Sequence, residues 1–309
     1  MTPSDSSTSP MKIADLYGQG RPVFSFEFFP PKTDQAAEDL YEAVAELKER
    51  YHPDFISVTY GAGGSTRERG ISVAERIQND LELNVLAHLT CTDHSAAELD
   101  RVVDVLVGNG VNNILALRGD APEGSPTFAP HPEGFSHATD LMAHLRTRDD
   151  IGATIGIGGA CYPENHPESK DRADDMKWTL AKQEAGAEFL ISQLFFDNDD
   201  YFASIERGRE AGLSIPIVPG IMPITSVSQV ERFTKLCGAK IPDELMNRLD
   251  KRRDQPGRVM AIGIEWAIDQ CVDLLERGAP GIHFYTLNKS EATRTILAGI
   301  HAGLRTAEF

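Results

Sequence analysis

The sequence predicts an α/β protein, a single-domain (β/α)8 barrel, on three observations. Short β-branched or apolar runs alternate with longer helical patterns along the whole chain; those runs are almost continuously apolar, as strands of a parallel sheet covered by helices are; and no linker divides the sequence. A length of 309 residues suits one barrel, and 41% hydrophobic with 25% charged residues is the composition of a globular chain with a large core. The doubly wound open sheet also alternates β with α and is the competing architecture.

Eight βα units follow in order. "VFSFEF" (23–28) precedes a helix from Asp34 to Arg50, and "FISVT" (55–59) one near Ser72 to Gln78. "VLAHL" (85–89) leads to Ser95 to Val107, "NILAL" (113–117) to Ser136 to Arg148, and "TIGIGGA" (154–160) to Ser169 to Ala185. "FLISQ" (189–193), "IPIVP" (215–219) and "GIHFY" (281–285) supply the last strands, with helices near Asp200 to Ala211, Ser226 to Leu236 and Ser290 to Gly303. The seventh unit carries extra material, "IPDELMNRLDKRRDQP" and the apolar helix "RVMAIGIEWAIDQCVDLLERG". Residues 1–20 form a polar extension and lead-in, residues 21–309 the barrel, and the Pro/Gly-rich stretch "DAPEGSPTFAPHPEG" (120–134) is long enough for a lid.

A formal net charge of -17 repels a polyanion and argues against nucleic acid as a partner, since no basic patch offsets it. The cysteines Cys91, Cys161, Cys237 and Cys271 form no C-x-x-C pair, which points to a reducing compartment. "MTPSDSSTSP" lacks the basic start and apolar run of a signal peptide, and no stretch of about eighteen apolar residues occurs. The expectation is a soluble cytoplasmic protein without a membrane partner.

Barrel active sites lie at the C-terminal ends of the strands. There the sequence places Glu27, Thr59 and Tyr60, His88, Arg118, Gly119 and Asp120, Tyr162 and His166, Gln193, and His283 with Tyr285. Glu27 stands inside an aromatic run. Side chains alternate along a strand, so Ser25 and Glu27 share one face and Phe24, Phe26 and Phe28 the other. With the aromatic face toward the helices, Glu27 points into the barrel near its mouth, where poor solvation would raise its pKa and suit it to general-acid work. The structural alternative is pairing with Arg118 or Lys32.

Other motifs carry less. "GIGGA" (156–160) is followed by "CYPENHP" instead of a helix start, so it is no dinucleotide fingerprint and reads as backbone clearance for a flat ligand. "GAGG" (61–64) is either an anion nest or a plain loop. The spacing of His88, His166, His283 and Asp120 matches no metal motif, and no metal is expected. Phe128, Phe195 and Phe196 read as core or lid packing.

"FSFEFFPPKT", "FISVTYGAGGSTRERG", "HLTC", "ILALRGD", "YPENHPES", "SQLFFD", "PGIMPI" and "HFYTLN", in this order from Val23 to Ser290, resemble the methylenetetrahydrofolate reductase family. The resemblance implies a barrel holding FAD, which takes hydride from NADH or NADPH and passes it to 5,10-methylenetetrahydrofolate in ping-pong fashion, in one-carbon metabolism. It implies Glu27 and Asp120 as catalytic residues. Thr59, Tyr60, Ala62, His88, Arg118, Gly119, Asp120, Ala138, Tyr162, His166, Asp175 and Lys182 would bind FAD, with Arg118 and Lys182 on its pyrophosphate. Glu27, Thr59, Asp120, Gln193, Gln229, Phe233 and Lys289 would bind substrate. It further implies a dimer or tetramer. Lys289 and Trp178 depart from the family pattern, in which an Arg and a smaller polar residue stand at these places. The regulatory domain of eukaryotic members is expected to be missing.

Overall fold

A computed structural model describes residues 11–61, 64–121, 128–288 and 290–306. Its strands are β1 (Val23–Phe28), β2 (Phe55–Val58), β3 (Asn84–Thr90), β4 (Asn113–Leu117), β5 (Gly156–Cys161), β6 (Phe189–Ser192), β7 (Ile217–Val218), β8 (Gly220–Ile221) and β9 (Gly281–Tyr285). Every neighbouring pair is parallel, in the order β7-β6-β5-β4-β3-β2-β1-β9-β8. The ends of that order, β7 and β8, are two halves of one strand interrupted at Pro219, whose ring lacks the N–H a ladder needs. Pro219 still accepts a bond from His283 N at 2.9 Å, so the sheet closes across the break. The barrel expected from the sequence is therefore present, and its seventh strand is split.

Helices α1 (Asp34–Tyr51), α2 (Gly64–Asn79), α3 (Ala96–Gly108), α4 (Ala138–Thr147), α5 (Arg172–Glu184), α6 (Asn198–Glu210), α7 (Val227–Cys237), α8 (Asp243–Asp250), α9 (Pro256–Glu276) and α10 (Ser290–Thr306) form the outer ring. Their starts are chemically marked: Ser95 and Glu98 close a capping box on α3, and Thr33, Asp171 and Ser226 accept from backbone N–H groups opening α1, α5 and α7. Helix α2 begins at Gly64, well before the expected Ser72. Glycine is tolerable in a first turn, where N–H groups lack helical partners anyway, and at Gly70 an added Cβ would come within 3.2 Å of Pro30 Cβ.

Alternation along the strands separates two cores. Phe26, Phe28, Ile56, Val58, Ala87, Ile114 and Phe284 face the helices. Val23, Phe55, Leu86, Leu115, Phe189 and Ile191 fill the floor of the barrel, joined by Ile13 and Leu16 of a 3-10 helix (Ile13–Leu16). No helix among the described residues is long and apolar enough to cross a membrane.

Candidate active site

Above that floor the interior turns polar. Ser25 and Glu27 of β1 pair in register with His283 and Tyr285 of β9, and Glu27 also with Ser57 of β2. Period-two alternation sends Ser25, Glu27, Ser57, His88 and His283 inward. The end of β1 is pinned by Thr286, whose N–H and Oγ1 both donate to the Glu27 carbonyl, at 3.3 and 2.6 Å.

The Glu27 side chain is only 12% exposed, with Oε2 3.4 Å from His88 Nε2 and 3.5 Å from His283 Nε2. Among the described residues neither imidazole nitrogen has a regular hydrogen-bond partner, and both are buried. His283 Nδ1 lies 2.8 Å from Ser25 Oγ, which fixes the ring so that Nε2 faces the carboxylate. Of the two arrangements open in the sequence, Glu27 takes the inward one; its partners are histidines, not Arg118 or Lys32. The expected rise in its pKa is overturned. Burial pushes the carboxyl up, but the contact with His283 and the charges of His88 and His283 outweigh it and bring it below its ordinary value. Burial drives His88 down to about 4, against the pull of Glu27, so it is neutral at pH 7.

Around the rim, Tyr60 donates or accepts through its OH at 3.2 Å from His94 Nε2, lies under the Arg67 guanidinium, and is pushed up to about 12, mainly by burial. Thr59 N–H donates to the Phe28 carbonyl at 3.0 Å. Arg118 follows β4 and grips Glu168 through two bonds of 2.5 and 2.8 Å, with Phe128 beneath its guanidinium. Gly119 has φ +87°, and a Cβ there would stand 2.1 Å from Thr92 Oγ1, so only glycine fits. Asp120 is exposed, its carbonyl accepting from Thr92 Oγ1 at 3.3 Å. Tyr162 follows β5, packs edge-on against His166, and is raised to about 12, first by burial. Asp175 on α5 accepts from His166 N–H and Ser169 Oγ, each at 3.1 Å. Gln193 N–H donates to the Cys161 carbonyl at 2.7 Å. Gln229 accepts from the Thr225 N–H at 3.0 Å, and Phe233 packs in the small core under α7 and α8. Ala138 opens α4. Ala62 and Lys289 lie outside the described residues.

Lys182 on α5 donates to the Ala160 carbonyl at 2.6 Å and has no carboxylate at ion-pair distance among the described residues; burial lowers its pKa. A buried lysine that makes no direct ion pair among the described residues, with Asp175 as a nearby charge and Arg118 as a second cation whose partner is solvent-exposed, suits a phosphate-bearing cofactor. The glycines of β5 do not provide clearance for one. A Cβ on Gly158 would meet the Phe189 ring at 2.6 Å and one on Gly159 the Met142 methyl at 2.8 Å, so the protein's own side chains use that room. Among the described residues no group of three or more His, Cys, Asp or Glu is placed to hold a metal ion.

Sequence reasoning missed Glu168, His94 and His137. Glu168 stands within "YPENHPES", but nothing local announces that it reaches Arg118, fifty residues away. His137 was visible only as an ordinary residue of the expected Ser136 to Arg148 helix; it precedes α4 and stacks on Trp178.

A closed parallel barrel with a buried carboxylate between two imidazoles, and with Arg118 and Lys182 beside the ends of β4 and β5, has the layout of an α/β-barrel enzyme. The model of the family described as methylenetetrahydrofolate reductase matches residues 12–301, and the chain belongs to that family. It is 34% identical to 5,10-methylenetetrahydrofolate reductase of Escherichia coli, across 93% of this chain and 94% of that protein. It is 37% identical to methylenetetrahydrofolate reductase (NADH) 1 of Arabidopsis thaliana, across 94% of this chain but 50% of the relative, so it spans about half the plant protein's length. Among solved structures, an uncharacterized protein from Clostridium thermocellum that binds two copies of 5-methyl-5,6,7,8-tetrahydrofolic acid shares the fold, with a TM-score of 0.60, 17% identity and coverage of 92% and 96% of the two chains.

Proposed function

We propose that the chain reduces 5,10-methylenetetrahydrofolate to 5-methyltetrahydrofolate with NADH or NADPH, using FAD, and that Glu27 is its general acid. FAD, when bound, supplies the hydride relay between nicotinamide and folate. Lys182 and Arg118 would hold its pyrophosphate, the Arg118 guanidinium being available once it leaves Glu168, and Tyr162 and His166 would line the approach. Thr59, Tyr60 and Gln193 orient the flat ligands at the mouth, and Phe233 stacks against nicotinamide and folate in turn. One shared face implies ping-pong kinetics. The Asp120 carboxylate would disfavour negative charge on a bound flavin, which would make the reduced cofactor a stronger donor.

The substrate is a cyclic aminal whose one-carbon bridge accepts hydride once the ring opens, and opening requires a proton on the departing nitrogen. The observation that carries the reading is the inward Glu27, seated at the mouth between two imidazoles. Beside His283 and His88 it is held toward its ionised form. Ligands covering its remaining exposure reinforce the burial that pushes it up, so substrate binding is what loads the acid. The plant relative is named for NADH, which makes NADH the donor to try first. A dimeric or tetrameric state is proposed from the family resemblance, and a cytoplasmic location from the dispersed cysteines.

The test is anaerobic absorbance. The purified protein should be yellow, be bleached by NADH, and regain colour on addition of 5,10-methylenetetrahydrofolate. A colourless protein that takes up no flavin overturns the proposal.

A further inference from the structure

Strand β1 ends at Phe28 and β9 at Tyr285, and the last pair in register between them is Glu27 with Tyr285. Glu27 is thus the second residue from the end of a strand, where a ladder tends to fray. Here side chains carry the ladder further. Asn288 Oδ1 accepts from the Phe29 N–H at 2.8 Å, and Asn288 Nδ2 donates to the Phe29 carbonyl at 3.1 Å. One carboxamide thereby supplies the acceptor and the donor that more of β9 would have offered. Thr286 Oγ1, which donates to the Glu27 carbonyl at 2.6 Å, accepts in turn from the Asn288 N–H at 3.1 Å.

The turn that brings Asn288 into place is strained. Leu287 has φ +51° and Asn288 φ +56°, two consecutive non-glycine residues in the left-handed region. Asparagine tolerates that region, leucine seldom enters it, and such backbone persists only where its surroundings hold it. The strain secures a firm join between two strand ends. Those strands carry Glu27 and His283, whose Oε2 and Nε2 lie 3.5 Å apart. From the other side β1 is held to β2, the Thr59 N–H donating to the Phe28 carbonyl at 3.0 Å. The backbone on both sides of Glu27 is therefore fixed, although no regular strand continues past it.

We propose that Asn288 is a positioning residue for the general acid: its carboxamide, locked by the left-handed turn, holds the end of β1 against β9 and so keeps the Glu27 carboxylate between His88 and His283. The inference rests on the reading of Glu27 above. Asn288 bonds to backbone and acts through Glu27, so it matters to folate reduction, which consumes the acid's proton, and not to flavin reduction by NADH, which makes no use of that acid.

Glycine accepts the left-handed turn without strain and lacks the carboxamide, so Asn288→Gly isolates the clasp. Stopped-flow measurement on the full-length protein should show folate reduction slowed by about 10- to 100-fold, the scale of an ångström's misplacement, with flavin reduction by NADH at the wild-type rate. Placed on Glu27→Gln, the same substitution should slow folate reduction no further, because residues that act as a unit are not additive. Thr286→Val removes the hydroxyl of the same clasp and should repeat the pattern, which keeps the test open if Asn288→Gly does not fold. Independently of turnover, the Nε2 resonances of His88 and His283 in nitrogen-15 NMR should shift in the variant as the carboxylate moves. Unmoved resonances, equal slowing of both half-reactions, or full additivity with Glu27→Gln each overturn the proposal alone. A wild type that reduces no folate overturns the reading of Glu27 and this inference together.

Discussion

Two levels of the barrel interior, a strand period apart, are built from opposite materials. The floor is hydrocarbon: Ile13, Leu16, Val23, Phe55, Leu86, Leu115, Phe189 and Ile191, with Phe189 turned into the space that Gly158 leaves. The level above holds Ser25, Ser57, Glu27, His88 and His283, and there Ser57 Oγ, His88 Nε2 and His283 Nε2 are buried without a hydrogen-bond partner among the described residues. An unpartnered buried polar group costs roughly 1–3 kcal/mol. The upper level therefore burdens the fold, and the lower level stabilises the molecule enough to carry it. Stability and chemistry are separated along the barrel axis, and each can be perturbed without the other.

The largest separation should come from Glu27→Gln. An amide keeps the size and loses the proton, so folate reduction should fall by roughly 10²–10⁴-fold, the range for a positioned acid, while flavin reduction by NADH is preserved. Stopped-flow measurement of the two half-reactions distinguishes them. A variant in which both halves slow together would mean that Glu27 positions the flavin instead of supplying the proton.

Phe189→Ala is the opposite perturbation. Removing a fully buried aromatic from the floor should cost about 3–5 kcal/mol, read as a lowered urea midpoint, with turnover per folded molecule close to wild type. Substantial loss of turnover in the folded fraction would break the division between levels.

How much of this division was legible follows from what is local and what is not. The alternation in "VFSFEFF" sent Glu27 inward, and the apolar runs with their intervening helices gave the parallel barrel, because both patterns are carried by residues a few positions apart. The partners of Glu27 were not legible as partners. Ser25 meets His283 across 258 residues of sequence, and only barrel closure creates that register. The direction of the Glu27 shift was missed for the same reason: burial could be read from the neighbours in sequence, and the two imidazoles that outweigh it could not. The glycines of β5 were misread because a missing side chain leaves room for a ligand or a neighbouring ring equally well, and only the fold shows that Phe189 and Met142 take it. The split of the seventh strand had a local signal, Pro219 inside "IPIVP", although the run was read as one strand.

The burden of the upper level should also depend on pH. His88 is driven down to about 4 from an ordinary value of 6.5. Between those values the unfolded chain binds a proton that the folded chain refuses, so stability falls as pH drops through this window, by on the order of 1 kcal/mol per pH unit. Glu27, lowered in the folded state, adds a loss of the same sign further down, as pH falls from its ordinary 4.5 through its folded value. Urea denaturation at pH 7, 6 and 5 should show a flatter profile for His88→Asn than for wild type. Identical slopes would mean that His88 takes up its proton in the folded chain as readily as in the unfolded one.

The smallest stability effect is expected at the rim, where solvent reaches the charges. Glu168 is 60% exposed, and its paired bonds to Arg118 form an ion pair of a kind that contributes about 0–1 kcal/mol. Glu168→Gln should leave the urea midpoint almost unmoved, in contrast to Phe189→Ala, since water replaces what the carboxylate gave. Its consequence lies in binding: a guanidinium released from a competing anion is free for a phosphate, so the variant should bind FAD more tightly than wild type. Weaker binding would reverse the argument and make Glu168 the group that holds the Arg118 fork in place, extending the structural role of the interior up to the rim.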